Sequence, residues 1–301
     1  MLVVEQITKD FQEDFWKEPF RALDNFSFSL VEGKITGFLG ANGAGKTTFL
    51  KILLGFIKAT SGSVAFPSIS SEREIFKLIG YMPERPYYYE HLTGREYLTY
   101  CGKLQDLSTD QINSAIDLWT KELKVDFALD RSLKSYSKGM LQRVGFASAL
   151  LHNPRLVILD EPLSGLDPIG RKEFKDILVK LNQDYGCTVF FSSHIVSDVE
   201  EVCENVVVIE KGKLVYEGGI KELLAQASSK FIRVEIEGKT DISSDIEVLI
   251  EKMSETVNTY LFCAHDKLND LLVQLIACDL KVISVNHENY TLEEVVYKLN
   301  E

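Results

Sequence analysis

Residues 40–48 read Gly40-Ala41-Asn42-Gly43-Ala44-Gly45-Lys46-Thr47-Thr48, a phosphate-cradling loop of the form G-x-x-x-x-G-K-[ST]. The apolar run Ile35-Thr36-Gly37-Phe38-Leu39 enters it with the character of a strand, and Thr48-Phe49-Leu50-Lys51-Ile52-Leu53-Leu54 leaves it with that of a helix. Glycines at 40, 43 and 45 let backbone N–H groups turn inward on a phosphate chain. The helix that follows aims its positive N-terminal end at the same anion. Lys46 reaches the outer phosphates, and the Thr47 hydroxyl suits a magnesium ion. A flexible glycine turn is the plain alternative, and a full match set between strand and helix outweighs it. A nucleoside triphosphate site is expected.

A second element completes that site. Leu156-Val157-Ile158-Leu159-Asp160-Glu161-Pro162 is an apolar strand ending in two acids. The carboxyl end of a parallel strand is where open α/β sheets gather ligands. Asp160 is placed there to hold magnesium, directly or through water, and Glu161 to act on a water attacking the γ-phosphate. Thr188-Val189-Phe190-Phe191 reads as another core strand, and continuous apolar strands fit a parallel sheet covered on both faces.

Elsewhere, Phe26, Phe28 and Leu30 alternate with Ser27 and Ser29 as a half-buried strand, and residues 62–66 follow in kind. Residues 92–153 turn to helical spacing. Val206–Ile209 and Leu214–Tyr216 flank Lys211-Gly212 as a hairpin, and Ala225–Lys230 reads as a linker. Beyond it, strands are expected at 231–236, 260–263 and 282–285, and helices at 246–253, 268–277 and 292–299. The expected domains are 1–224, with a helical insert near 83–154, and a small C-terminal α/β domain over 225–301 whose role the sequence leaves open.

Composition bounds the partners. The chain has 301 residues, 45% apolar, enough for a full core and more than one domain. A formal net charge of −12 argues against nucleic acid as a partner and against docking on anionic lipid by charge alone. The five cysteines form no C-x-x-C pair, as expected of reduced structural thiols in a cytoplasmic protein. No basic-then-apolar leader is visible, and no apolar run approaches the roughly 20 residues that span a bilayer. A membrane role therefore calls for a partner.

The order of motifs resembles the ATPase subunits of ABC transporters. Ser135-Tyr136-Ser137-Lys138-Gly139-Met140-Leu141-Gln142-Arg143 matches the family's LSGGQ signature at Ser137 and Gly139. Ser164-Gly165-Leu166-Asp167 matches the D-loop, Ser192-Ser193-His194 the switch histidine, and Tyr81-Met82-Pro83-Glu84 the Q-loop position. The resemblance covers roughly residues 1–219. It implies an ABC-ATPase core of P-loop NTPase type with an antiparallel β subdomain and a helical insert. It implies ATP and Mg2+ as ligands, with Lys46 and His194 facing the γ-phosphate and Glu161 as general base. Thr47, Asp160 and Glu84 would hold the metal. A head-to-tail pair of subunits, identical or not, would press each nucleotide between the phosphate loop of one chain and Ser137 and Gly139 of the other, with Asp167 at the seam. A membrane-embedded permease would hold the chain at the inner face of the cell membrane, in an exporter.

Departures qualify the match. Lys138 and Met140 replace a glycine and the glutamine of the signature, and Glu84 stands where glutamine is usual. A carboxylate can ligate magnesium but donates no hydrogen bond. The adenine-stacking aromatic is expected at Phe11, with Phe15, Trp16 and Phe20 as substitutes and core packing as the competing reading. Arg85-Pro86-Tyr87-Tyr88-Tyr89 carries three adjacent tyrosines that cannot all face one core. In the resembling family this segment touches the permease, and packing on its own subdomain is the other reading. A soluble ABC ATPase acting on ribosomes or DNA is the alternative function, and a nucleotide-dependent regulatory module a third.

Overall fold

A computed structural model describes residues 2–12, 16, 19–67, 69, 71–227, 231–237, 249–251, 258–264, 267–287 and 292–299. Two compact units emerge, residues 1–220 and 221–299.

The first unit opens with β1 (Leu2–Phe11) and β2 (Phe20–Leu30), then β3 (Ile35–Leu39), α1 (Lys46–Leu53), β4 (Ser61–Ala65), α2 (Glu72–Leu78) and β5 (Ile79–Met82). The helical insert follows as α3 (Gly94–Leu104), α4 (Thr109–Glu122) and α5 (Lys138–Leu150), with two 3₁₀ turns between α4 and α5. Capping boxes fix two of these starts: Thr93 with Glu96 for α3, and Ser108 with Gln111 for α4. The chain returns through β6 (Leu156–Leu159), α6 (Pro168–Tyr185), β7 (Thr188–Ser193), α7 (Val196–Val202), β8 (Asn205–Glu210) and β9 (Lys213–Gly219).

These strands form two sheets. β2-β1-β4 is antiparallel, and β5-β6-β7-β3-β8-β9 is parallel except at its last pair, the expected hairpin. Every residue of β3, β6 and β7 is buried, as continuous apolar strands covered on both faces must be. The sheets and α1 meet in an aromatic cluster. Phe49 lies 5.2 Å from Phe26 and 5.5 Å from Phe38, ring centre to ring centre, and Phe38 stacks on Phe190 at 5.4 Å. This cluster seats the helix that carries Lys46 and Thr47.

The second unit contains α8 (Ile220–Ala227, beginning at the boundary), β10 (Phe231–Glu237), β11 (Leu249–Glu251), β12 (Asn258–Ala264), α9 (Leu268–Ala277), β13 (Val282–His287) and α10 (Leu292–Leu299). Its sheet, ordered β11-β12-β10-β13, is antiparallel throughout. Ile232, Val234 and Ile236 pack beneath Leu271 and Leu275 of α9. Two expectations need correction. Of the helix expected over 246–253, the described residues Leu249, Ile250 and Glu251 instead form β11 and pair with β12, and 246–248 and 252–253 lie outside the described residues; a tertiary ladder overrides the local periodicity there. The linker expected from Ala225 begins as the last turn of α8, and residues 228–230 lie outside the described residues.

Among the described residues no helix is long and apolar enough to cross a membrane. Cys101, Cys187, Cys203 and Cys278 are free thiols.

Candidate functional site

Register assembles the site. Leu39 pairs with Ser193, Phe191 with Leu159, and Leu159 with Met82. The carboxyl ends of β3, β7, β6 and β5 therefore end at one edge, and each chain leaves that edge into a predicted motif. Gly40, His194, Asp160 and Glu84 arrive there together by strand alignment.

The loop between β3 and α1 turns on two left-handed glycines, Gly43 at φ 83° and Gly45 at φ 111°. At Gly45 a Cβ would also come within 2.7 Å of the Ala22 carbonyl, so residue 45 admits glycine on both counts. Lys46 is buried and curls back over the loop: its ammonium donates to the Gly40 carbonyl at 2.6 Å and the Ala41 carbonyl at 3.3 Å. It also stands 3.3 Å from Oε1 of Glu161.

Glu161 adopts φ 49°, a conformation costing a non-glycine residue about 1 kcal/mol or more. Ser192 holds it there. The Ser192 hydroxyl accepts from the Glu161 N–H at 2.8 Å and donates to Oδ1 of Asp160 at 2.6 Å, so one serine orients both acids. Nδ1 of His194 lies 2.8 Å from Oε2 of Glu161. Asp160 is 2% exposed, and burial pushes its carboxyl above the usual range. Hydrogen bonds from Ser192 and Thr47 pull it back, and the charges of Glu161 and Glu84 push it up further.

A cleft of about 370 Å³ runs between these groups, lined by residues of the loop from Ala41 to Thr48, by Glu84 and Glu161, and by Phe20 and Ala22. The aromatic there is Phe20 rather than the expected Phe11. The two are cross-strand partners, but β2 passes directly beside the phosphate loop while β1 lies one strand further away. Phe11 instead carries the Lys9 ammonium 4.9 Å above its ring. Trp16 does not line the cleft, and Phe15 lies outside the described residues.

The donors around the cleft suit magnesium. Thr47, Asp160 and Glu84 offer hard oxygen donors, and Oε1 of Glu161 is buried with no hydrogen bond, its neighbour being the Lys46 ammonium at 3.3 Å. Among the described residues no cluster of three or more acids, histidines or cysteines is arranged to hold a metal alone. That is the usual situation for magnesium, which takes one or two protein carboxylates and completes its shell largely from phosphates and water.

Ser137, Gly139 and Asp167 lie elsewhere. They line a second cleft with Met140 and Leu166, separate from the one at the phosphate loop. Ser137 is the N-cap of α5, its hydroxyl accepting from Met140 N–H at 3.3 Å, and Asp167 is the N-cap of α6, accepting from Gly170 N–H at 2.8 Å. Further along α5, the Gln142 amide donates to the Pro162 carbonyl, tying the signature helix to the turn after Glu161. Neither Ser192 nor Gln142 is a site residue on the sequence reading. Their signals were present in Ser192-Ser193-His194 and in the signature run, but a hydroxyl and an amide declare no partner before the fold exists.

The tyrosine segment divides. Tyr87 is 83% and Tyr89 42% exposed. Tyr88 turns inward, donates to the Leu141 carbonyl at 2.6 Å and packs edge-on against Tyr97, so the expectation of a shared interface role fails for this residue.

The family profile described as ABC transporter matches residues 23–164. An uncharacterized ABC transporter ATP-binding protein of Nostoc sp. is 34% identical over 304 residues, 98% of this chain and 88% of the relative. The bacitracin transport ATP-binding protein BcrA of Bacillus licheniformis is 40% identical over 200 residues, 65% of this chain and 64% of its own. Among solved structures, the dimeric post-hydrolysis state of the cassette MJ0796 bound to ADP and Pi gives a TM-score of 0.66 at 24% identity, over 73% of this chain and 99% of that one. At that identity the likeness carries the fold. CbiO1 of Clostridium perfringens, part of the cbiONQ transporter complex, gives 0.64 at 26% identity, over 75% of this chain and 91% of its own. With the phosphate loop, the acidic strand end, the signature and the switch histidine in place, and a relative matched along nearly the whole sequence, this chain belongs to the ATP-binding subunits of ABC transporters.

Proposed function

We propose that the chain hydrolyses ATP to drive a membrane-embedded permease, working as a head-to-tail pair with two shared nucleotide sites. The observation that carries this reading is the separation of the two clefts. Lys46 and Glu161 line one, Ser137 and Gly139 the other, so a second subunit is needed to bring a signature onto a loop-bound nucleotide. Such a contact is two-fold and yields two equivalent sites.

In this reading the phosphates lie on the loop N–H groups and the N-terminus of α1. Lys46 leaves the Gly40 and Ala41 carbonyls to meet them. Glu161, fixed by Ser192 and by its αL backbone, takes the proton of the attacking water, and His194 faces the γ-phosphate. Thr47, Asp160 and Glu84 would hold magnesium, which when bound neutralises charge on the phosphate oxygens. Phe20 stacks on the base. The remaining contribution is positioning and electrostatics, as in phosphoryl transfer generally. The exposed Tyr87 and Tyr89 face the permease, which places the chain peripherally on the inner face of the membrane. Export rests on Glu84 at the Q-loop position and on the ending Leu292-Glu293-Glu294-Val295-Val296, both resembling export-type subunits.

The test mixes two variants with defects on opposite sides of the sandwich. Lys46→Ala should abolish turnover by weakening phosphate binding, and Ser137→Ala should spare monomer binding but hinder closure. Heterodimers should regain one competent site. A mixture no more active than either parent, with heterodimers demonstrably formed, refutes the shared site.

A further inference from the structure

Charge in the nucleotide cleft is unevenly matched. Glu161 has two partners, the Lys46 ammonium at 3.3 Å and the His194 ring at 2.8 Å. Lys46 is the cation among the described residues that line the cleft. Asp160, just behind, is held by hydroxyls rather than by a cation. Among the described residues the cation paired with Glu84 is Arg85, at 3.7 Å, and that guanidinium is 92% exposed. So open a pair is screened by solvent and neutralises little. The cleft therefore presents Glu84 as an uncompensated carboxylate on the path of a ligand that is itself a polyanion.

An amide at this position would behave differently. It carries no charge and donates hydrogen bonds to phosphate oxygens, whereas a carboxylate only accepts. Toward a nucleotide without its metal, the change from amide to carboxylate replaces attraction by repulsion. Toward a nucleotide loaded with a divalent ion, the same carboxylate is attractive or neutral, because the ion offsets it.

Resting on the nucleotide-site reading above, we infer that Glu84 makes this chain discriminate between metal-loaded and metal-free nucleotide more steeply than the amide would. It is a specificity residue acting by charge at the mouth of the cleft. One unit charge a few ångströms from a phosphate in a partly solvated cleft corresponds to a change on the order of tenfold in affinity.

The experiment measures ADP binding to the full chain by calorimetry, in excess magnesium and in EDTA, for wild type, Glu84→Gln and Glu84→Asp. ADP is chosen because it is not turned over. The wild-type ratio of Kd in EDTA to Kd in magnesium should exceed that of Glu84→Gln about tenfold. The gain should come mainly from tighter metal-free binding by the glutamine variant, and Glu84→Asp should keep the wild-type ratio. Equal ratios in wild type and Glu84→Gln, with both chains folded by circular dichroism, overturn the inference and leave the ATPase reading standing. A folded wild type that binds ADP under neither condition overturns both.

Discussion

Nδ1 of His194 and Oε2 of Glu161 stand 2.8 Å apart, while the other oxygen of that carboxylate faces Lys46 at 3.3 Å. The two groups assigned to the γ-phosphate are both turned on the assigned base. Binding would have to draw them off, leaving Glu161 free to accept a proton at the moment the phosphate is clamped.

Replacing Glu161 with glutamine keeps the shape and removes the base. The variant should bind ATP and accumulate as a closed dimer, with turnover lower by about 10²- to 10⁴-fold. Gel filtration with ATP and magnesium, beside a phosphate-release assay, checks both parts. A monomeric elution or a near-wild-type rate would take Glu161 out of this role.

Phe20 and Phe11 are cross-strand partners, and only Phe20 lines the cleft. Stacking on a base is worth about 1–3 kcal/mol, so Phe20→Ala should weaken ATP binding about 5- to 150-fold. Phe11→Ala should change it less than about twofold. Nucleotide titrations of the two variants decide between them, and the reverse ranking restores Phe11.

The tyrosines separate in the same manner. Tyr88→Phe deletes one part-buried hydrogen bond to Leu141, a loss of about 0.5–1.5 kcal/mol that lowers the melting temperature by a few degrees. Tyr87→Ser with Tyr89→Ser removes exposed apolar area and should leave the melt unchanged. The pair should instead weaken association with the permease, by about 2 kcal/mol or more if these are interface anchors. Pull-down from detergent-solubilised membranes beside a thermal melt makes the comparison. Intact association with an early melt would assign both residues to the fold.

What the sequence made legible was whatever chemistry is written in contiguous residues. The run from Gly40 to Thr48 fixes its own strand, turn and helix, and Leu156–Pro162 reads as a buried strand with acids at its end. What stayed hidden depends on which chain lies alongside. Phe11 and Phe20 are indistinguishable until the sheet order puts β2 beside the loop. Ser192 looks like any strand-end serine until β6 and β7 align. Three adjacent tyrosines point to a surface, but only the Leu141 carbonyl selects Tyr88 for the interior. The segment 246–253 has apolar residues at helical spacing, and the pairing of its residues 249–251 with β12 is a non-local fact.

A last prediction concerns His152, at the end of the signature helix. Its Nε2 lies 3.0 Å from the Ile79 carbonyl and so carries the proton, while Nδ1 is buried without a partner. Burial holds its pKa below 6.5, with the Ile79 contact only partly opposing. The unfolded chain, with an ordinary histidine, therefore binds a proton more readily than the folded one as pH falls through 6.5. Stability from this group is complete above that value and is lost as pH drops toward the lower folded pKa. His152→Gln keeps an N–H for Ile79 and cannot titrate in this range. Melts at pH 7.5 and 5.5 should show wild type losing more stability than the variant over that interval. The variant's own baseline cost cancels in the difference, as do the other titrating groups the two chains share. Equal losses in the two chains would show that His152 is as basic in the folded chain as in the unfolded one over this range.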